Sequence, residues 1–180
     1  MMTLETTNFL LALGTVALQV VSIGLLSLFF FRKTSLVLGE ATRFVSSWAF
    51  LIAFLSTLTA SAMTLFYSDV LGIEPCALCW WQRIFLYPQV VLFGLALFKR
   101  ERSPFGIDYA IILSLLGAAF ALYHHALQTL PSGTLPCPSQ GVSCAQRFVF
   151  EFGYITFPLM AFSLFMFLIV LMFFARSRNS

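Results

Sequence analysis

Five long apolar runs constrain this chain more than anything else in it. They cover roughly Asn8–Phe31, Phe44–Tyr67, Trp80–Phe98, Ile107–Leu127 and Val149–Ala175. About 20 apolar residues in a helix, rising 1.5 Å each, cross the ~30 Å hydrocarbon layer of a bilayer. The first two runs carry no charged residue, and the others carry Arg83, Asp108 and Glu151, one apiece and each near an end. With 60% hydrophobic and 9% charged residues, the chain is far from the one-quarter charge of soluble domains. It lacks the polar surface to enclose a core in water. The expected fold is all-α: a polytopic transmembrane four-helix bundle with one additional N-terminal transmembrane helix. Residues 1–43 would hold the extra helix and an inner loop, 44–175 the bundle, and 176–180 a short tail.

The leader MMTLETTN holds Glu5 and no Lys or Arg, so it lacks the basic start of a cleavable signal peptide, and its apolar run is too long for one. It reads as a true first span. Basic residues orient the spans. Arg32, Lys33, Arg43, Lys99, Arg100, Arg102, Arg176 and Arg178 all fall on one side of five alternating spans, leaving Arg83 and Arg147 of the ten. That side is expected to be cytoplasmic, with the N-terminus outside, in a bacterial inner (cell) membrane. The sparse polarity leaves no broad basic face, which argues against nucleic acid as a partner.

All four cysteines then lie on the outer, extracytoplasmic side, where disulfides persist. Four cysteines allow three connectivities, and pairing neighbours, Cys76 with Cys79 and Cys137 with Cys144, is the most economical. The stretch EPCALCWWQR, Glu74 to Arg83, places Cys76 and Cys79 at the start of the third span, where Pro75 suits a helix opening. A helix N-terminus stabilises an anion, enriching the thiolate that attacks and leaves in disulfide exchange. The plain alternatives are a static bridge or a pair of metal ligands. A four-cysteine zinc site is compatible with the spacing, but the oxidising side argues against it. Trp80 after the C-x-x-C excludes the c-type haem signature.

Arg83 follows Cys79 by four residues and shares its helical face, and Tyr87 extends that stripe. An arginine at the centre of a span costs about 2.5–3.5 kcal/mol on insertion scales, less near an end. It either snorkels to phosphate headgroups or serves as a fixed cation for a quinone carbonyl whose negative charge grows on reduction. LPCPSQGVSCAQR, Leu135 to Arg147, is a turn-rich loop that can present Cys137 and Cys144 to a soluble partner, or merely be stapled by them. His124 and His125 end the fourth span, where they can donate to a quinone oxygen, relay a proton, or simply sit at the interface. Arg147 and Glu151 are spaced to pair, and Pro88 and Pro158 are expected to kink the third and fifth spans.

CALCWWQR with FLYP, YHHALQ, and PCPSQGVSCAQR with FGYITFP together resemble the DsbB/BdbC family of membrane disulfide-formation proteins, over roughly Phe44 to Ala175. The short Cys137–Cys144 spacing is similar to the BdbC-type branch. The additional N-terminal span departs from the family's four. The resemblance implies an enzyme, a quinone-dependent protein-disulfide oxidoreductase. A reduced thioredoxin-fold thiol oxidase of the DsbA/BdbD type would attack the Cys137–Cys144 bridge through Cys137. Freed Cys144 would attack Cys76 and release Cys79. Cys79 would then reduce a membrane quinone, ubiquinone or menaquinone, held near Arg83, with His124, His125 and Tyr87 as further candidates for that site. The lipid bilayer and its quinone pool complete the set of partners. Three alternatives stand beside this: a vitamin K epoxide reductase-like quinone reductase, disfavoured because C-x-x-C here precedes the loop pair, a non-enzymatic membrane protein braced by structural disulfides, and a thiol-based metal-binding membrane protein.

Overall fold

A computed structural model describes residues 4–99, 103–131, 135, 136 and 142–179. Cys137, Arg100 and Arg102 lie outside the described residues. The chain is all-helical: α1 (Leu4–Phe31), α2 (Leu36–Leu65), α3 (Ala77–Phe98), α4 (Pro104–Thr129) and α5 (Phe157–Asn179), with α2 widening at its end into a π turn over Phe66–Val70. All five are long and apolar enough to cross a membrane. The protein is therefore built as a multi-pass membrane protein.

In lipid, helices gain little from hiding apolar surface; close packing and interhelical hydrogen bonds hold them together. α5 is apolar on every side and takes the centre, packing most extensively on α4, then on α2 and α1, while α3 bridges α2 and α4. Ala49 and Ala53 of α2, Ala110 and Ala118 of α4, and Phe165, Leu168 and Leu171 of α5 form the core with Phe85 and Phe93 of α3. Small residues let the backbones approach. The tightest case is Gly117 of α4, where an added Cβ would fall 2.4 Å from the Phe165 ring. Buried polar groups close on each other: Gln89 accepts from Ser114 Oγ at 3.1 Å while its own amide donates to the Phe85 carbonyl at 2.9 Å.

The two ends of the bundle differ. Arg176 and Asp108 form an exposed ion pair, 3.0 Å long, at the end where α4 begins and α5 finishes. Cys76, Cys79 and Cys144 gather at the other end.

The fifth span begins later than its apolar run suggests. Val149–Thr156 is not helical, because Phe152 (φ 52°) and Gly153 (φ 77°) turn the chain back so that Glu151 pairs with Ile155 across an isolated antiparallel bridge. Two successive positive φ values suit a tight reversal and exclude a helix. Glu151 thus lies outside the span. Arg147 does not pair with it among the described contacts but rests over the Phe150 ring, 5.0 Å from its centre. Pro158 is the second residue of α5 and opens that helix rather than kinking it, whereas Pro88 does lie inside α3.

Gly117→Ala is expected to destabilise the bundle by about 1–3 kcal/mol, the usual cost of overpacking. Unfolding in detergent measures it, and adding Phe165→Leu should restore part of the loss.

Candidate functional site

The site grows from the opening of α3. Cys76 is the N-cap residue, extended at φ −70° and ψ 169°, and its carbonyl accepts the first helical bond from the Trp80 amide at 3.1 Å. Pro75 thus stands one residue ahead of the cap, and Cys79 falls in the first turn, where backbone N–H groups lack helical partners. The two sulfurs are 3.2 Å apart, with Cys76 Sγ donating to Cys79 Sγ. A disulfide needs about 2.05 Å, so a small closure makes the bond. The first-turn position does not favour a thiolate at Cys76. Its thiol is pushed up to about 11, first by the hydrogen bond it donates to Cys79 and then by burial.

His124 joins this pair to the second loop. Its Nε2 lies 3.7 Å from Cys76 Sγ and 3.0 Å from the carbonyl oxygen of Cys144. Its Nδ1 lies 3.0 Å from Gln82 Nε2. Gln128, one turn along α4, donates to the carbonyl oxygens of Cys144 at 3.3 Å and Gln146 at 3.0 Å. Cys144, buried to 1% exposure, packs in one cluster with Cys76, Leu78 and Leu127. One cysteine of the loop pair is thereby held beside the C-x-x-C. Cys76 Sγ, Cys79 Sγ and a His124 nitrogen all lie within 4.8 Å of one another, a soft donor set as well as a redox one. His125 turns away to Thr156, with Nδ1 and Oγ1 2.8 Å apart.

Arg83 is buried at 8% exposure, and its Nη2 donates to the Thr64 carbonyl at 2.8 Å, immediately before the π turn of α2. Wide turns of this kind are frequent at functional sites. The guanidinium also lies over the Trp80 ring, 5.3 Å from its centre. Tyr87 shares the same anchor, its hydroxyl 2.9 Å from Thr64 Oγ1. Arg83 faces two cavities. One of about 400 Å³ runs between α1 and α2 and is walled by both C-x-x-C cysteines, Gln82 and His124, with Leu18, Leu86 and Leu164 at its apolar end. The other, about 500 Å³, is bordered by Asp69, Glu74, Trp80 and Tyr87. The first touches both sulfurs and the second touches neither, so the first is where thiol chemistry can meet a bound molecule. His125 and Tyr87 do not line it.

Sequence reasoning missed Gln82, Gln128 and the Thr64 carbonyl. Gln128 had a signal, since it stands four residues after His124 on an otherwise apolar helix. The Thr64 carbonyl had none, because a backbone acceptor carries no side-chain signature.

A helical membrane bundle with a C-x-x-C at a helix N-terminus, a third cysteine packed against it and a buried arginine one turn deeper has the layout of a membrane thiol–disulfide oxidoreductase. A sequence model of the family "Disulfide bond formation protein DsbB" matches residues 46–175. The chain belongs to that family. It is 40% identical to the SPbeta prophage-derived disulfide bond formation protein B of Bacillus subtilis, over 67% of this chain and 79% of the relative. It is 34% identical to the disulfide bond formation protein C of the same organism, over 68% and 88%. It is 35% identical to a probable disulfide formation protein C of Halalkalibacterium halodurans, over 66% and 85%. No solved structure matches it significantly.

In reduced protein, alkylation of Cys76 by a small reagent is expected to rise toward pH 11 instead of levelling near the ordinary thiol value of 9.0. Cys79→Ala removes the larger cause, so the midpoint should fall. An unmoved midpoint would assign the whole shift to burial.

Proposed function

We propose that this protein reoxidises a DsbA/BdbD-like thioredoxin-fold thiol oxidase and passes the electrons to membrane quinone. The observation that carries the reading is the joint at His124. It holds the Cys144 carbonyl beside Cys76 Sγ, and both C-x-x-C sulfurs wall a cavity that combines a buried cation with apolar walls.

The proposed order balances as follows. The partner's dithiol reduces a Cys137–Cys144 disulfide through a mixed disulfide at Cys137, and the partner leaves oxidised. Cys144 thiolate attacks Cys76 Sγ of a Cys76–Cys79 disulfide, and Cys79 leaves as thiolate. Cys137 then attacks Cys144, restoring the loop disulfide and returning Cys76 as a thiol. The Cys76–Cys79 dithiol is left holding two electrons and two protons. Quinone, when bound, supplies the acceptor for both. Attack at Cys76 makes Cys79 the departing sulfur, and Cys79 departs in the first turn of α3, where backbone N–H groups without helical partners stabilise a thiolate.

The residues fit such an acceptor. A guanidinium has five N–H donors, and the Thr64 carbonyl occupies one of Arg83's. The others can stabilise charge developing on a quinone oxygen inside a low-dielectric site. His124 lines the same cavity. We assign it chiefly to positioning Cys144, and we assign His125 and Tyr87 to supporting contacts with Thr156 and Thr64. We also propose that the cysteine end faces outward and the Arg176 end the cytoplasm, with residues 44–175 as the family bundle and 1–43 as an addition to it.

Anaerobic mixing of the purified protein with a reduced DsbA-like protein and quinone, followed by quinone absorbance, tests the reading. Wild-type protein should reduce quinone; Cys79→Ser should abolish reduction with the bundle intact, and retained turnover would refute the route. Cys144→Ala should accumulate a mixed disulfide between Cys137 and the partner. Arg83→Ala is expected to raise the apparent KM for quinone by about tenfold or more, the loss of one charge-assisted contact. An unchanged KM would confine Arg83 to bracing α3 against the Thr64 carbonyl of α2. A thiol partner that exchanges with neither pair would instead favour structural bridges.

A further inference from the structure

The family match begins at residue 46, so α1 lies outside it, yet α1 is tied into the bundle by specific contacts. Asn8, buried, accepts a hydrogen bond from the Tyr67 hydroxyl of the π turn. Gln19 donates to Ser163 Oγ of α5 at 2.8 Å and accepts from the Tyr154 hydroxyl at 3.3 Å. The Phe9 ring lies 5.6 Å from that of Phe152, a residue with left-handed φ. A span that faced only lipid would have no use for a buried asparagine, since each polar group in hydrocarbon needs an internal partner.

These ties lean α1 against α5 and leave it only sparse contact with α2. The gap between α1 and α2 is the cavity that reaches Cys79 and Arg83. From one side it is walled by Leu11, Gly14 and Leu18, and from the other by Thr59, Ala60 and Met63, each set recurring at helical spacing. Gly14 and Thr59 are exposed, and a Cβ added to Gly14 would meet nothing within 4 Å. The cavity is therefore open sideways at mid-helix. It is polar at the cysteine end and mostly apolar from there downward, with Thr15, Ser56 and Thr59 the polar residues of that part, and α1 rises about 15 Å between Asn8 and Leu18.

We propose that α1 is the outer wall of the quinone cavity: the quinone ring sits at the Cys79–Arg83 end and its prenyl tail passes between α1 and α2 beside Gly14 into the bilayer. This rests on the quinone reading above and adds to it a tail subsite formed by a helix outside the family match. A lipid-soluble oxidant suits an opening that faces hydrocarbon, and its apolar tail suits a wall of Leu11, Leu18 and Met63.

Two measurements on the full chain test it. In wild-type protein, a quinone bearing an azido group on its tail should photolabel the peptide spanning residues 4–31 together with α2. Gly14→Phe, projecting into the gap, should raise the ratio of apparent KM for a long-tailed quinone to that for a tail-less quinone by about tenfold. Ile23→Phe, on an exposed position of the same helix away from the cavity, should leave that ratio where it is. Label confined to α3 and α4, or an unshifted ratio in folded Gly14→Phe, overturns the α1 wall while quinone reduction stands. If Gly14→Phe does not fold, the wild-type label decides alone. Wild-type protein that reduces no quinone of either kind overturns the underlying reading instead.

Discussion

Hydrocarbon offers no hydrogen-bond partner, and most of this architecture follows from that restriction. Every polar group that enters the span must find its complement within the bundle. Most buried polar side chains are therefore paired and grouped, with the Ser46 and Ser61 hydroxyls the exceptions among the described residues. Gln82, His124 and Gln128 form one continuous set with the carbonyl oxygens of Cys144 and Gln146. Arg83 and Tyr87 converge on Thr64. A buried network that is fully satisfied is rigid, because any partial opening leaves unpaired groups in a low dielectric. That rigidity fixes where the sulfurs stand, so the solvent that forbids scattered polarity also concentrates it into a site.

The two chemically identical thiols of the C-x-x-C stand in different surroundings. Cys76 caps α3 and is buried, and its proton points at Cys79. Cys79 lies one turn above a buried guanidinium and on the wall of a cavity. His124 ties the Cys144 backbone to the first sulfur, the second packs against the same cluster, and both wall the cavity.

The membrane character, the number of spans and the candidates for chemistry were legible in the chain, because length and apolarity set a span and because cysteine, arginine and histidine are conspicuous in an apolar background. The start of α5 was not legible. Val149, Phe150, Phe152 and Ile155 prolong the apolar run ahead of the helix, and the positive φ at Phe152 and Gly153 keeps them out of it. Pro158 was misread for the same reason: a proline at the second residue of a helix and one in its middle differ only in where the helix begins. The two adjacent histidines were indistinguishable as letters, yet one meets Cys76 and Cys144 while the other meets Thr156.

What the sequence determined by itself was the solvent and the inventory: five spans, four cysteines, and a cation one helical turn beyond the second of them. These follow from composition and from the fixed rise and pitch of a helix, which need no knowledge of neighbours. The tertiary structure alone decided which groups meet. Residues far apart in the chain, Cys76 with His124, Arg83 with the Thr64 carbonyl, and Gly14 with the far wall on α2, come together only when the helices choose their rotation and tilt. That choice is made by small residues and interhelical hydrogen bonds spread over all five helices, a property of the packed whole that no single segment encodes.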